Sequence, residues 1–370
     1  MAVPLIDLHQ QHQDLLPELR DAFERVVDSG QFILGPFVEQ FERQLAERCG
    51  VRHVIGVSSG TDALLLALMA MGIGPGDEVI TTPFTFFSTA GCIARVGAKP
   101  VFVDINPRTY NMEVEDIPGA ITPQTKAIMP VHLFGLPANM GPIMEIAREH
   151  KLRVIEDAAQ ALGAAYEDTS VGAIGDVGCF SFYPTKNLPA MGDAGAVTTN
   201  DDELAATMRL MRVHGGDEGY QFPVIGGNFR LDALHAAMLS VKLSRLEQWI
   251  DRRRELAARY GRKLESVAVT TPFEPQVRHH VYNNYTVRVR SGHRESLRHH
   301  LQACGVGNRV YYPSPLHLQP CFEYLGYGRG SLPAAEKACE EVLSLPIYPE
   351  MTDAQQDEVV AAIRELFKAE

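Results

Sequence analysis

The chain lacks the marks of several protein classes. Its six cysteines, Cys49, Cys92, Cys179, Cys304, Cys321 and Cys339, form no CxxC pair and no cluster with zinc-ligand spacing. That pattern argues against a disulfide framework or a zinc centre. It fits reduced, mostly buried thiols in a cytoplasmic protein, with no metal expected. There is also no basic run and no acidic tail. Lys and Arg number 34 against 46 Asp and Glu, a net charge of −12, which is the wrong sign for general nucleic-acid binding. A local basic pocket for a phosphate remains compatible with it. No apolar stretch is long enough to span a membrane. The opening residues, Met1-Ala-Val-Pro-Leu-Ile-Asp7, lack the basic start and apolar run of a signal peptide. Internal repeats and low-complexity segments are absent too, so neither nucleic acid nor membrane is an expected partner.

What is present is a large apolar fraction, 45% of 370 residues, enough for one large domain and a smaller companion. Between about 36 and 200, helix and strand patterns alternate. Phe37, Phe41 and Leu45 recur every four residues, and Gly50 can end that helix. Short apolar strands are predicted at His53–Val57, 78–80, 100–103, 127–131 and 153–155. Helices are predicted at Thr61–Met71 and near 86–96 and 139–150. Such alternation predicts an α/β fold with a mainly parallel sheet covered on both faces. Ligands of such sheets bind at the carboxyl ends of the strands. A charged helical region follows from about Leu231 to Leu264. Its run Asp251-Arg-Arg-Arg254 reads as a solvated helix face, because Glu247, Asp251 and Glu255 lie at helical spacing from the arginines. Phosphate binding is the alternative. A strand at Tyr285–Val289 and helices near 294–304, 333–344 and 353–368 then predict a small α+β domain. The expected domains are 1–250 and 251–370.

Three segments carry chemistry. In Val57-Ser-Ser-Gly-Thr-Asp62 a strand passes through a small polar turn into a helix. Backbone N–H groups at a helix start attract anions, Gly60 permits close approach, and Thr61 adds a hydroxyl. An ordinary Ser/Thr cap is the alternative, and taken alone these residues favour it. In Val154-Ile-Glu-Asp-Ala-Ala-Gln160, Asp157 ends an apolar strand, where a carboxylate needs a reason to be buried. It can keep a pyridine nitrogen protonated, or cap a following helix. Gln160, one turn on, could reach the same ligand. In Cys179-Phe-Ser-Phe-Tyr-Pro-Thr-Lys-Asn187, Lys186 follows an aromatic strand and precedes a Gly-containing loop. A buried lysine is easily deprotonated and can form an imine with an aldehyde; a structural lysine is the alternative.

Ser59-Gly-Thr-Asp-Ala63, Glu156-Asp-Ala-Ala-Gln160, Phe182-Tyr-Pro-Thr-Lys-Asn187 and Asn228-Phe-Arg-Leu-Asp232 occur in that order. Together they resemble the DegT/DnrJ/EryC1/StrS family of sugar aminotransferases. The resemblance runs from Gly30-Gln-Phe-Ile-Leu-Gly-Pro36 to Leu343-Ser-Leu-Pro346. It implies the fold type I architecture of pyridoxal 5'-phosphate (PLP) enzymes: a three-layer αβα large domain and a smaller C-terminal α+β domain. It implies that Lys186 holds PLP as a Schiff base and shuttles the proton, that Asp157 pairs with the pyridinium nitrogen, and that Gln160 faces the ring hydroxyl. Ser181, Thr61 and the amides of Gly60 and Asp62 would hold the phosphate. Phe86 would stack on the ring, with a core aromatic as the alternative. Asn228 would reach the phosphate from the partner subunit of a homodimer with shared active sites, with Arg230 nearby. Phe32, Arg230, Tyr312 and His317 are the implied substrate contacts. Tyr311 stands where members often carry histidine, and Pro189-Ala190 where relatives often have glycine.

The implied activity is transfer of an amino group from L-glutamate to a nucleotide-linked keto sugar. The 312–320 segment looks more like enzymes that aminate C3 than C4. Three alternatives follow from the same resemblance. One is a transaminase of an amino-cyclitol or simple amine. Another is a PLP-dependent sugar dehydratase, although such relatives typically carry histidine at the position of Lys186. The third, from another class, is a non-catalytic PLP-binding regulatory protein.

Overall fold

In the computed structural model, residues 2–216, 219–289 and 292–368 are described. Seven short strands form the central sheet: β1 (His53–Val57), β2 (Glu78–Thr81), β3 (Lys99–Phe102), β4 (Thr125–Ile128), β5 (Arg153–Asp157), β6 (Val177–Ser181) and β7 (Gly195–Thr199). Their order across the sheet is β1-β7-β6-β5-β4-β2-β3. From β3 to β6 neighbours pair in parallel. β7 is the exception, running antiparallel to both β6 and β1. Burial is nearly continuous along β2, β5, β6 and β7, as expected of strands covered on both faces. The Gly60–Ala70 helix shows the same logic. Ala63 to Leu68 are all buried, so the helix is apolar all round and sits in the interior.

A second, antiparallel sheet holds β8 (Val269–Thr270), β9 (Tyr285–Val289) and β10 (Val342–Leu345), in that order. β10 corrects one expectation. The predicted 333–344 helix ends at Glu341, because Val342 to Leu345 are fully enclosed and pair with β9, from Tyr285↔Leu345 to Arg288↔Val342. Tertiary burial here overrides a helical continuation. The region predicted from Leu231 to Leu264 is likewise two helices, Ala233–Leu243 and Leu246–Leu264.

The arginine run is neither a solvated face nor a phosphate site. Arg252 pairs with Glu255 and Asp353. Arg254 lies 2.8 Å from Glu274. Arg253 is buried and donates to the carbonyls of Tyr282 (3.2 Å) and Ile347 (2.9 Å). Their helix buries one face along its length. Leu246, Trp249 and Ile250 join one core with Phe41 and Phe182, and Leu256, Tyr260 and Leu264 join another with Val287 and Leu343. A buried guanidinium in such a place is held by backbone carbonyls.

At the N-terminus, Val3 is strapped to the turn after the Arg294–Ala303 helix. Val3 N–H donates to the Gly305 carbonyl (2.9 Å), and Gly307 N–H donates back to Val3 (2.7 Å). A Cβ at Gly307 would lie 2.4 Å from the nitrogen of Leu5, so only glycine lets the segment lie this close. Among the described residues, no helix is long and apolar enough to cross a membrane.

Candidate active site

The carboxyl ends of β1, β5 and β6 converge on a cavity of about 580 Å³. Gly60, Thr61, Phe86, Asp157, Gln160, Ser181, Lys186 and Tyr312 all line it. All but Tyr312 reach it from segments that follow, or end, strands of the central sheet; Tyr312 comes from the segment after the Arg294–Ala303 helix.

Lys186 owes its position to a loop closed on itself. Beyond β6, Phe182 N–H donates to Ala194 (2.7 Å), Ala190 N–H donates to Phe182 (2.7 Å), and Lys186 N–H donates to Tyr183 (2.8 Å). Two side chains pin the loop from outside. Asn187 Nδ2 donates to the Val281 carbonyl (3.1 Å), and the buried Lys242 ammonium donates to the Pro189 carbonyl (2.8 Å). Desolvation pushes the Lys186 amine down to about 8, with the Asp157 charge opposing. An amine so tuned is available as a nucleophile near neutral pH.

Asp157 forms the buried floor. Thr89 Oγ1 donates to Oδ2 (2.8 Å) and Ala159 N–H to Oδ1 (3.2 Å). Burial raises its carboxyl above the ordinary range, against those hydrogen bonds and the Lys186 charge. No helix follows Asp157; the chain turns through 158–164, so the capping alternative has nothing to cap. The adjacent Glu156 is wholly buried and structural. It accepts from the amides of Gly172, Ile174 and Gly175 and lies 2.9 Å from His132 Nε2. His132 Nδ1 accepts from Ala138 N–H (3.0 Å), so Nε2 carries the proton that Glu156 receives.

Gln160 bridges two elements. Its Oε1 accepts from Phe134 N–H (2.8 Å) and its Nε2 donates to the Tyr312 hydroxyl (3.0 Å). At the start of the Gly60–Ala70 helix, Ser59 caps by accepting from Asp62 N–H (3.0 Å). The Asp62 carboxylate in turn accepts from Ser58 and Ser59. The Asp62 amide is therefore engaged in the cap, which leaves those of Gly60 and Thr61 as the first-turn donors. Thr61 Oγ1 lies 2.7 Å from Ser88 Oγ. A Cβ on Gly60 would meet the Cβ of Ser181 at 2.6 Å, so glycine is what brings this helix start beside Ser181.

Four sequence-predicted residues lie apart from this chain's cavity. Phe32 and Asn228 are exposed, and Arg230 is half-buried. They belong to one tract: Phe32 accepts from Ala233 N–H (3.0 Å), Ile33 bridges Asp232, and Arg230 bridges Val57. His317 is the clear departure. Its ring is buried, Nε2 lies 3.2 Å from Glu336, and it packs edge-on to Tyr327. Leu316 N–H donates to Pro83 (2.8 Å), which fixes this short 3-10 turn into the protein, so His317 is neither a cavity contact nor a solvated loop residue.

Several lining residues were not singled out from the sequence: Arg309, Asn283, Asn284, Tyr183 and Thr85. Thr89, which holds Asp157, was also missed. The Ser/Thr-rich stretch Thr85-Phe-Phe-Ser-Thr89 at a helix start was the available signal. Nothing local distinguished Arg309 or the two asparagines.

Set against known proteins, residues 13–364 match the DegT/DnrJ/EryC1/StrS aminotransferase family. The chain is 50% identical to a pleiotropic regulatory protein of Geobacillus stearothermophilus, over 100% of this chain and 99% of that one. It is 43% identical to a UDP-N-acetyl-3-dehydro-alpha-D-glucosamine 3-aminotransferase of Acidithiobacillus ferrooxidans, over 98% and 97%. Among solved structures, it superposes on S. venezuelae DesV in complex with a ketimine intermediate. The TM-score is 0.96 at 41% identity, covering 99% of each chain.

Proposed function

Because the chain belongs to the DegT/DnrJ/EryC1/StrS aminotransferase family, we propose that it moves the amino group of L-glutamate to C3 of a nucleotide-linked keto sugar. The product is a 3-amino-3-deoxy sugar. The chain is a PLP-dependent aminotransferase of fold type I. Lys186 and Asp157 facing one cavity carry this reading. The C3 position rests on the relative that aminates a 3-dehydro sugar.

The residues present fit the cofactor. Asp157 supplies a buried carboxylate, Lys186 an amine, and Ser181, Thr61 and the free first-turn amides a cradle that any side chain at residue 60 would fill. PLP supplies an aldehyde for amines to condense with and a ring that accepts electron density. Asp157 would hold the proton on the ring nitrogen, oriented by Thr89 and Ala159. Lys186, as a free amine, would take the proton from the reacting carbon of the substrate, hold it at Nζ and return it as general acid. Gln160 and Tyr312 would position the ring's polar edge, and Phe86 would cover a face.

We further infer a homodimer with shared sites. Asn228, Arg230 and Phe32 are tied into one tract that their own cavity does not use, and Phe32, Ile33, Phe222 and Ile225 are exposed beside it. A two-fold partner would bring that tract to the other cavity. The division into 1–250 and 251–370 belongs to the same reading: the two core clusters separate within the Leu246–Leu264 helix. Six free cysteines suit a cytoplasmic enzyme.

The decisive experiment offers a panel of dTDP-, UDP- and GDP-keto sugars with L-glutamate and reads product mass. Borohydride reduction of the yellow protein should place PLP on Lys186. The reading fails if every nucleotide sugar is inert while a free cyclitol or simple amine reacts. It also fails if PLP is trapped on another lysine. The regulatory alternative, kept alive by the name of the 50% identical relative, predicts trapping without turnover. For the dimer, Lys186→Ala mixed with an Asn228/Arg230 double mutant should regain activity on subunit exchange. A fully active monomer would refute it.

A further inference from the structure

One cation in the cavity has no partner. Arg309 lines it and is exposed, and among the described residues no carboxylate pairs with it. Its backbone is nonetheless fixed. Arg309 N–H donates to the Ser344 carbonyl (3.2 Å) and its carbonyl accepts from Ser344 N–H (2.8 Å), so it is bridged to β10. The neighbouring cationic side chains are spent differently: Arg288 on Glu341, Arg294 and Arg298 on Glu295. A guanidinium held on rigid backbone and left unpaired inside a cavity is placed for an anionic ligand.

The cofactor phosphate has its own cradle on other elements, at Gly60, Thr61 and Ser181. Arg309 instead shares its part of the wall with Tyr311, whose phenol feels its charge, and with the apolar Leu345 and Ile347. Three substrate anions remain, the α- and side-chain carboxylates of L-glutamate and the diphosphate of the acceptor. Chemistry separates them. An α-amino acid carries its α-carboxylate one bond from the carbon that reacts, so whatever reads it must line the same cavity as Lys186. The diphosphate is attached through C1 and lies several bonds from a reacting C3. A planar carboxylate also matches one guanidinium fork, whereas a diphosphate asks for several cations. Among the described residues of this chain that line the cavity, Arg309 is the only arginine.

We propose that Arg309 binds the α-carboxylate of the amino donor and so sets the enzyme's requirement for an amino acid over a simple amine. This rests on the aminotransferase reading above. The test uses the PLP-loaded enzyme, Arg309→Met and Arg309→Lys, each first checked for PLP trapped on Lys186. 2-Methyl-L-glutamate has no α-proton and binds without turnover, so the spectral change of the cofactor reports its dissociation constant. Arg309→Met should weaken it roughly tenfold to a hundredfold, the worth of hydrogen bonds to a charged group, and Arg309→Lys should weaken it less. Half-saturation by the nucleotide keto sugar in the second half-reaction should stay within about twofold, since no bond to it is lost. Unchanged binding of 2-methyl-L-glutamate in Arg309→Met would overturn the proposal. A loss confined to the nucleotide sugar would also overturn it, assigning the arginine to the diphosphate. Failure to trap PLP on Lys186 in the wild type would instead sink the aminotransferase reading itself.

Discussion

Replacing Gly60 by alanine tests the phosphate cradle directly. The new Cβ would sit 2.6 Å from the Cβ of Ser181 and 3.2 Å from its Cα. Carbon atoms pack comfortably at about 3.5–4.0 Å, so the overlap is about 1 Å. Neither side gives easily. Ser181 Cβ is one bond from a strand paired on both sides, and Gly60 opens a helix buried in the core. Overpacking of this kind costs about 1–3 kcal/mol. Alanine's advantage over glycine within a helix, about 1 kcal/mol at most, does not offset it. The helix start must move by several tenths of an ångström, which takes the Gly60 and Thr61 amides out of line with the phosphate. Each hydrogen bond to a charged group is worth about 1.5–3 kcal/mol, so PLP affinity should fall roughly tenfold to a hundredfold. PLP titration into cofactor-free protein, followed by absorbance, measures it. Gly261→Ala is the control: it lies within a helix and a Cβ there meets nothing within 4 Å, so it should keep affinity and gain slightly in stability. If Gly60→Ala binds PLP like the wild type, the cradle is not where we place it.

Asp157→Asn should keep the geometry and lose the charge, lowering kcat by about 100-fold or more while cofactor affinity changes less, because the carboxylate matters most as charge develops on the ring; near-normal kcat would refute the pairing. Lys242 is buried and its amine is pushed by desolvation from 10.5 down to about 8. Between those values the unfolded chain holds a proton that the folded one has shed, so the lysine makes stability rise by about 1.4 kcal/mol per pH unit from 8 to 10.5. Its burial cost is present in full below pH 8. Urea unfolding of Lys242→Met across that window should show a flatter profile than the wild type, and parallel profiles would contradict the assignment. Arg253→Ala strips the Tyr282 and Ile347 carbonyls of their donor and opens a cavity, and should cost about 3–5 kcal/mol in urea denaturation; a loss below about 1 kcal/mol would show that these bonds contribute little.

The sequence by itself determined six of the seven strands of the central sheet, all but Gly195–Thr199, and most of the long helices. Strand and helix patterns are local: His53–Val57 and Tyr285–Val289 are apolar runs whose periodicity is written in consecutive residues. Asp157 and Lys186 stood out because each ends or follows such a run with a group that burial penalises, while Ser181 was named through the family resemblance. What lies across the chain was not legible. The helix predicted to 344 gave way at Val342 because β10 needs β9, 54 or more residues earlier in the register that starts at Arg288↔Val342, and no local preference encodes a partner that distant. The arginine run looked solvated because its own helix supplies acidic residues, of which Glu255 does pair with Arg252, while its other partners, Asp353, Glu274 and the carbonyls of Tyr282 and Ile347, come from other segments. His317 was read as a loop residue free to meet substrate. Only the packed structure puts Glu336 against one side of it and Tyr327 against the other. Arg309 carries no local mark at all. Whether a cation is paired or left free in a cavity depends on which carboxylates the fold brings within reach, and that is decided by the tertiary structure alone.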